Sequence, residues 1–208
     1  MKKKSSYIVG LAGGSASGKT TFIQKLSEVF GENQVCVISQ DHYYKGLSEQ
    51  LRDENGIVNF DHPTGIDFKR IKRDLRSLLK GNTVEIVEYT FNNPAVFPKQ
   101  MIFKPAPIIL LEGLFVYADK GLRSMFDYQL YIDAEDEVTL QRRLDRDTTE
   151  RGMSTEEVLY QWEKHVKPAY DEFLKPHKSS ADYVIQNTTN FQEGLTHVIQ
   201  KFKEFIAQ

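Results

Sequence analysis

Cysteine is almost missing from this chain of 208 residues. Cys36 stands alone, so an internal disulfide is excluded. It lies in the apolar run VCVI, where a free thiol packs as a small hydrophobe, and nothing else points to an oxidising compartment. An excess of charge of one sign is missing too. The 27 basic and 29 acidic residues leave a formal net charge of −2, which gives no general attraction to nucleic acid or acidic lipid. Any anion site must be local, as screening within about 8 Å permits. No apolar run approaches the ~20 residues of a membrane span. The start, MKKKSSYIVGLA, opens like a secretion signal, but its apolar run stops at Gly13, short of the roughly 7–15 residues such a signal needs. The chain reads as cytoplasmic, without nucleic-acid or membrane partners. No repeat, linker or low-complexity tract divides it, so one domain over 1–208 is expected.

Short apolar runs alternate with segments of helical period. Strands are expected at 7–12, 35–39, 83–89, 107–113, 128–134 and 182–186, with 101–104 able to pair back on 83–89 as a ribbon over about 83–104. Helices are expected at 19–30, 67–80, 135–148, 154–173 and 191–206. In 67–80, Phe68, Ile71, Leu75, Leu78 and Leu79 share one helical face. PIILLEG is nearly all apolar, as a strand covered on both faces would be. Strands separated by helices imply an α/β fold with a parallel sheet of about five strands and right-handed crossovers.

The first strand runs into GGSASGKTT, Gly13 to Thr21, which satisfies the P-loop pattern Gly-x4-Gly-Lys-Thr. Gly13, Gly14, Ser15, Ala16, Ser17 and Gly18 can curl so that their N–H groups face phosphate oxygens. The helix behind them adds its positive end. Lys19 can reach the β- and γ-phosphates, and the Thr20 hydroxyl can bind Mg²⁺. A nucleoside triphosphate, ATP or another, with Mg²⁺ is the implied ligand. A P-loop alone does not separate a kinase from a GTPase, a motor or a switch. The chain has no Asn-Lys-x-Asp guanine reader.

Two acids follow strands whose carboxyl ends should face the ligand crevice. Asp41 follows VCVISQ and Glu112 follows PIILL; one suits a metal ligand, the other a proton acceptor. LQRRLDRDTTERG gathers Arg142, Arg143, Arg146 and Arg151, the first three on one helical face. These could form a lid over about 135–155 that clamps a phosphoryl group, or a solvated helix paired with Asp145, Asp147 and Glu150. His165, His177 and His197 have no metal-ligand spacing, and His42 and His62 suit loop orientation.

Taken in order and spacing, GGSASGKTT, SQDHYYK, NFDHP, LLEG and RRLDRDTTERG resemble the motifs of the uridine–cytidine kinases, relatives of phosphoribulokinase, from about Tyr7 to Asn187. The resemblance implies a P-loop kinase fold with a β-ribbon over the acceptor site and an arginine-rich lid. It also implies transfer of the ATP γ-phosphate to a nucleoside 5′-hydroxyl. By position, Asp41 would be the general base and approach Mg²⁺, with Thr20 and Glu112 completing the metal site. Asp61, Arg143 and Gln161 would hold the ribose, and Tyr44, Phe60, Tyr89 and Phe91 would wall the acceptor pocket. Arg146 and Arg151 would contact phosphates, and the stretch from Asp182 to Asn187 would pass the adenine. Members often form homo-oligomers, which no segment here settles.

The resemblance fails at the family's base readers. Its usual His-Ser/Thr-Arg is here Pro94-Ala95-Val96, and its Arg-Gly-Arg is Arg151-Gly152-Met153. Pro94 and Met153 cannot donate those side-chain hydrogen bonds. Relaxed base choice is therefore expected. The alternatives are a kinase of a sugar or sugar-phosphate hydroxyl, or a nucleotide-sensing regulatory module.

Overall fold

The central sheet has five parallel strands in the order β2-β7-β1-β8-β9, in a computed structural model that describes residues 6–91 and 96–208. These strands are β1 (Tyr7–Gly13), β2 (Val35–Ser39), β7 (Ile108–Gly113), β8 (Tyr128–Asp133) and β9 (Tyr183–Gln186). Between them, in chain order, lie α1 (Lys19–Val29), the small hairpin β3 (Leu51–Arg52) and β4 (Val58–Asn59), α2 (Phe68–Leu79), the ribbon β5 (Val84–Val87) and β6 (Gln100–Phe103), and α3 (Lys120–Arg123). After β8 come α4 (Asp136–Glu150), α5 (Thr155–Gln161), α6 (Lys167–Ala169) and α7 (Lys175–Lys178), and the chain ends in α8 (Gln192–Ala207). No helix among the described residues is long and apolar enough to cross a membrane.

Both faces of the sheet are covered, which explains the unbroken apolar strands. Ile108, Leu110 and Val9 pack with Phe22 and Leu26 of α1 and Val198 and Phe202 of α8. On the other face Ile109 and Leu111 meet Ile71, Leu75 and Leu78 of α2 and Ile86 of the ribbon. Phe68 and Leu79 are only partly buried at the edge of the α2 stripe. Phe22 is fully buried, a burial that contributes about 1.5–3 kcal/mol.

The register sets the height of the site. Leu11 and Ser39 both pair with Glu112, so the β1 end, the β2 end and the Glu112 carboxylate lie at one level. All three parallel strands leave the sheet on that side.

The expected helix over 154–173 forms and runs on to Lys178, but it is not a uniform α-helix. α5 opens with a capping box: Glu157 N donates to Ser154 Oγ at 3.2 Å, and Ser154 N donates to Glu157 Oε2 at 2.8 Å. Beyond Gln161 the helix widens into π turns at Trp162–Val166 and Tyr170–Leu174, where Lys167 N donates to Trp162 O and Lys175 N to Tyr170 O. Pro168 and Pro176 lie just past these turns; each lacks an N–H, and in an α-helix its ring would clash with the carbonyl four residues earlier.

Candidate active site

The P-loop is built by two different glycine requirements. Gly13 ends β1 where a Cβ would lie 2.6 Å from the Ile132 carbonyl and 2.8 Å from Ser17 Oγ. Gly18 has φ +100°, a left-handed conformation that costs glycine little. Its missing Cβ also makes room for Asn187 Nδ2, which donates to Ser17 O at 2.7 Å. Ala16 has φ +58°, one of two non-glycine residues with positive φ among those described. The loop thus curls back on itself, and Lys19 Nζ donates to the carbonyls of Gly13 and Gly14 at 2.8 and 3.0 Å. Burial pushes the Lys19 ammonium down, while Glu112 and Asp41 oppose that shift.

A cleft of about 560 Å³ opens above this loop. Of the sequence-derived site residues, Ser15, Ala16, Ser17, Gly18, Lys19, Thr20, Thr21, Asp41, Tyr44, Phe60, Asp61, Phe91, Glu112, Arg143, Arg146, Arg151 and Gln161 line it. Gly13 and Gly14 sit behind the lining, joined to it through Lys19. Tyr89 is one ring back, its centroid 5.6 Å from Tyr44 and 5.1 Å from Phe91. Pro94 lies outside the described residues. Met153 donates its N–H to Asp147 O and is half-buried away from the cleft lining. Of the stretch expected to pass the adenine, only Asn187 borders the cleft. Asp182 is at the opposite, amino end of β9, where its carboxylate accepts from Gln129 N at 2.7 Å.

The cleft has two chemically distinct ends. At the P-loop end, Thr20, Asp41 and Glu112 offer hard oxygen donors beside Lys19. Burial raises the Asp41 carboxyl above its ordinary value, against the pull of Lys19, His42, Arg151 and Arg146. Glu112 is raised by burial and then by Asp41. No cluster of three or more His, Cys, Asp or Glu able to hold a metal occurs among the described residues. Two carboxylates and a hydroxyl fit Mg²⁺, which usually binds through one or two carboxylates together with substrate phosphates.

The other end is aromatic. Tyr44, Phe60 and Phe91 contact one another with centroids 5.2–5.6 Å apart. Tyr44 Oη donates to Phe60 O at 2.9 Å, which fixes the wall. Phe91 holds φ +52°, an uncommon conformation for a bulky residue. Asp61, raised by burial and opposed first by Arg143, lies in the same end. Arg143 spans the two ends: its Nη1 donates to Ser15 Oγ and its Nη2 to Gln161 Oε1, both at 2.9 Å.

The arginines pair and face the cleft at once. Arg143, Arg146, Arg151 and also Arg142 line it, and the first three converge on the fully buried Asp147. Arg146 Nε is 2.7 Å from Oδ1, Arg151 Nη1 3.3 Å from Oδ1 and Arg143 Nε 3.2 Å from Oδ2. The last is a charge contact without hydrogen-bond alignment. Asp147 was readable in sequence only as one of three partner acids. Its i+4 relation to both Arg143 and Arg151 was the available signal. A second missed group is His165, 2% exposed yet bordering the cleft.

A parallel sheet whose first strand delivers a P-loop into a cleft shared by carboxylates, arginines and an aromatic wall defines a P-loop phosphotransferase. The model of the Phosphoribulokinase / Uridine kinase family matches residues 8–192, and the chain belongs to that family. It is a phosphotransferase acting on a hydroxyl acceptor. It is 37% identical over 201 residues to a uridine kinase of Staphylococcus haemolyticus, covering 97% of each chain. It is 32% identical over 205 residues to uridine-cytidine kinase B of Dictyostelium discoideum, covering 99% of this chain and 84% of that protein. The phosphoribulokinase of Rhodobacter spheroides shares the fold at TM-score 0.65 and 19% identity, over 90% of this chain and 74% of that one.

Proposed function

We propose that this protein is a cytoplasmic, ATP-dependent nucleoside kinase of pyrimidine salvage that phosphorylates the 5′-hydroxyl. The observation that carries the reading is the joining of Asp41 and Lys19 with the Tyr44–Phe60–Phe91 wall in one cleft. A flat base stacks on such rings, whereas a sugar phosphate presents no π-face to them. The uridine kinase and uridine-cytidine kinase names of the relatives support the same acceptor class.

In this mechanism the loop N–H groups and Lys19 hold the β- and γ-phosphates, and Asp61, Arg143 and Gln161 hold the ribose hydroxyls. Asp41 accepts the proton of the 5′-hydroxyl as its oxygen attacks phosphorus. A carboxyl lifted by burial is a better matched base than an exposed one. Arg146 and Arg151 offset charge on the transferring group. Thr20, Asp41 and Glu112 would hold Mg²⁺, which supplies charge neutralisation on the phosphates.

ADP release measured with uridine, cytidine, their 2′-deoxy forms, ribose and a sugar phosphate tests the assignment. Turnover with ribonucleosides and a larger penalty for deoxyribose than for base exchange is expected. Turnover of a sugar phosphate alone would refute the nucleoside assignment. ATP binding without any transfer would leave a sensing module.

A further inference from the structure

We propose that His165 is a specificity-determining residue that accepts a hydrogen bond from an N–H donor on the base of the acceptor. This rests on the nucleoside reading above. His165 lies in the first π turn, one turn beyond Gln161, and borders the cleft while its side chain is 2% exposed. π turns re-aim side chains and recur at functional sites.

The ring is fixed from behind. His165 Nε2 is 2.8 Å from Asp53 Oδ2, and Tyr160 Oη donates to the same oxygen at 2.8 Å. Backbone N–H groups of Asn55 and Ile57 donate to Asp53 Oδ1 at 2.9 Å. Burial pushes the Asp53 carboxyl up, but the hydrogen bonds from Tyr160, Ile57, His165 and Asn55 outweigh it and hold it at about 2. An ionised carboxylate only accepts, so Nε2 is the protonated nitrogen. In the neutral ring Nδ1 then carries a lone pair and serves as acceptor. Two other polar groups at this end are already engaged, Gln161 Oε1 by Arg143 and Tyr44 Oη by Phe60. Asp61 and Arg143 suit hydroxyl groups. His165 is the group suited to an N–H on the edge of the base, such as the ring imide of uracil or the exocyclic amine of cytosine.

The residue could instead merely dock the β3–β4 hairpin against α5, which Asp53 and Asn55 do through Tyr160. Acceptor chemistry separates the two roles. Wild-type protein should prefer uridine over N3-methyluridine by about tenfold or more in kcat/KM, the worth of one buried hydrogen bond. In His165→Phe, which keeps a ring without the acceptor, that preference should fall to within about threefold while the KM for ATP is unchanged. His165→Gln, which retains an acceptor oxygen, should recover part of it. A measurement on the unaltered protein stands beside the variants: the ¹⁵N resonance of His165 Nδ1 should move with uridine and not with ATP. An unchanged methyl preference in His165→Phe, or a silent Nδ1 resonance with bound uridine, would overturn the proposal while leaving the nucleoside assignment intact. Absence of turnover with every nucleoside would remove both.

Discussion

Neutralising Asp147 is the most informative single perturbation of the arginine cluster. Asp147→Asn keeps the shape and leaves one oxygen to accept from Arg146 Nε, now 2.7 Å away, but removes the charge on which three guanidinium groups converge. Their contributions are unequal. Arg151 is 53% exposed and Arg146 31%, so solvent screens both and their pairs are worth little. Arg143 is 5% exposed and dominates. Removing one partner of a buried ion pair costs about 3–5 kcal/mol. Asp61 still offsets Arg143, so a loss near 2–3 kcal/mol is expected, a melting temperature lower by about 4–12 °C for a chain of this size.

The kinetic consequence follows from the same geometry. Arg143 and Arg146 lose the anion that sets their orientation, and one misplaced charge-assisted contact of about 1.5 kcal/mol corresponds to roughly tenfold in kcat. The triphosphate is itself an anion among these arginines, so saturating MgATP should close part of the gap in melting temperature. Thermal melts with and without MgATP, and steady-state ADP release, read both effects. A variant that melts within about 1 °C of the wild type and turns over normally would show that Asp147 does not organise the lid.

Asp41→Asn should lower turnover by about 10²–10⁴-fold, because the amide cannot accept the hydroxyl proton; ATP binding measured without Mg²⁺ should change little, and normal turnover would place the base elsewhere. Asp53 is held at about 2 in the folded chain, below the ordinary ~3.9 of an unfolded aspartate. Its contribution to stability is therefore present above pH ~4 and lost as pH falls toward 2. Melts of wild type and Asp53→Asn should differ near pH 5 and converge near pH 2, and a constant difference would refute the linkage. Cys36 is buried and its thiol is pushed up to about 11, chiefly by burial. Iodoacetamide at pH 8 should label it only after unfolding; rapid labelling of the native protein would contradict the packing around β2.

What the sequence made legible and what it hid divide along a physical line. The five sheet strands and the P-loop are local patterns: a run such as IILL can only be covered on both faces, and Gly-x4-Gly-Lys-Thr carries its own backbone geometry. The end of TVEIVEY was less legible, since β5 stops at Val87 and Tyr89 serves the aromatic wall. The β3–β4 hairpin has only two residues per strand, too few for any alternation, and it is held by the Asp53 carboxylate and not by apolar burial. Metal-ligand spacing concerns neighbours in the chain, whereas the partner of His165 is 112 residues away. The same limit applied to Asp147. Acids and arginines spaced by four describe a solvated helix and a clamped lid equally well. The difference is burial: a carboxylate at 0% exposure cannot be a solvated partner. Convergence of side chains from distant segments is therefore where the fold adds information: His165 borders the cleft, and Asp147 stands behind three arginines that line it.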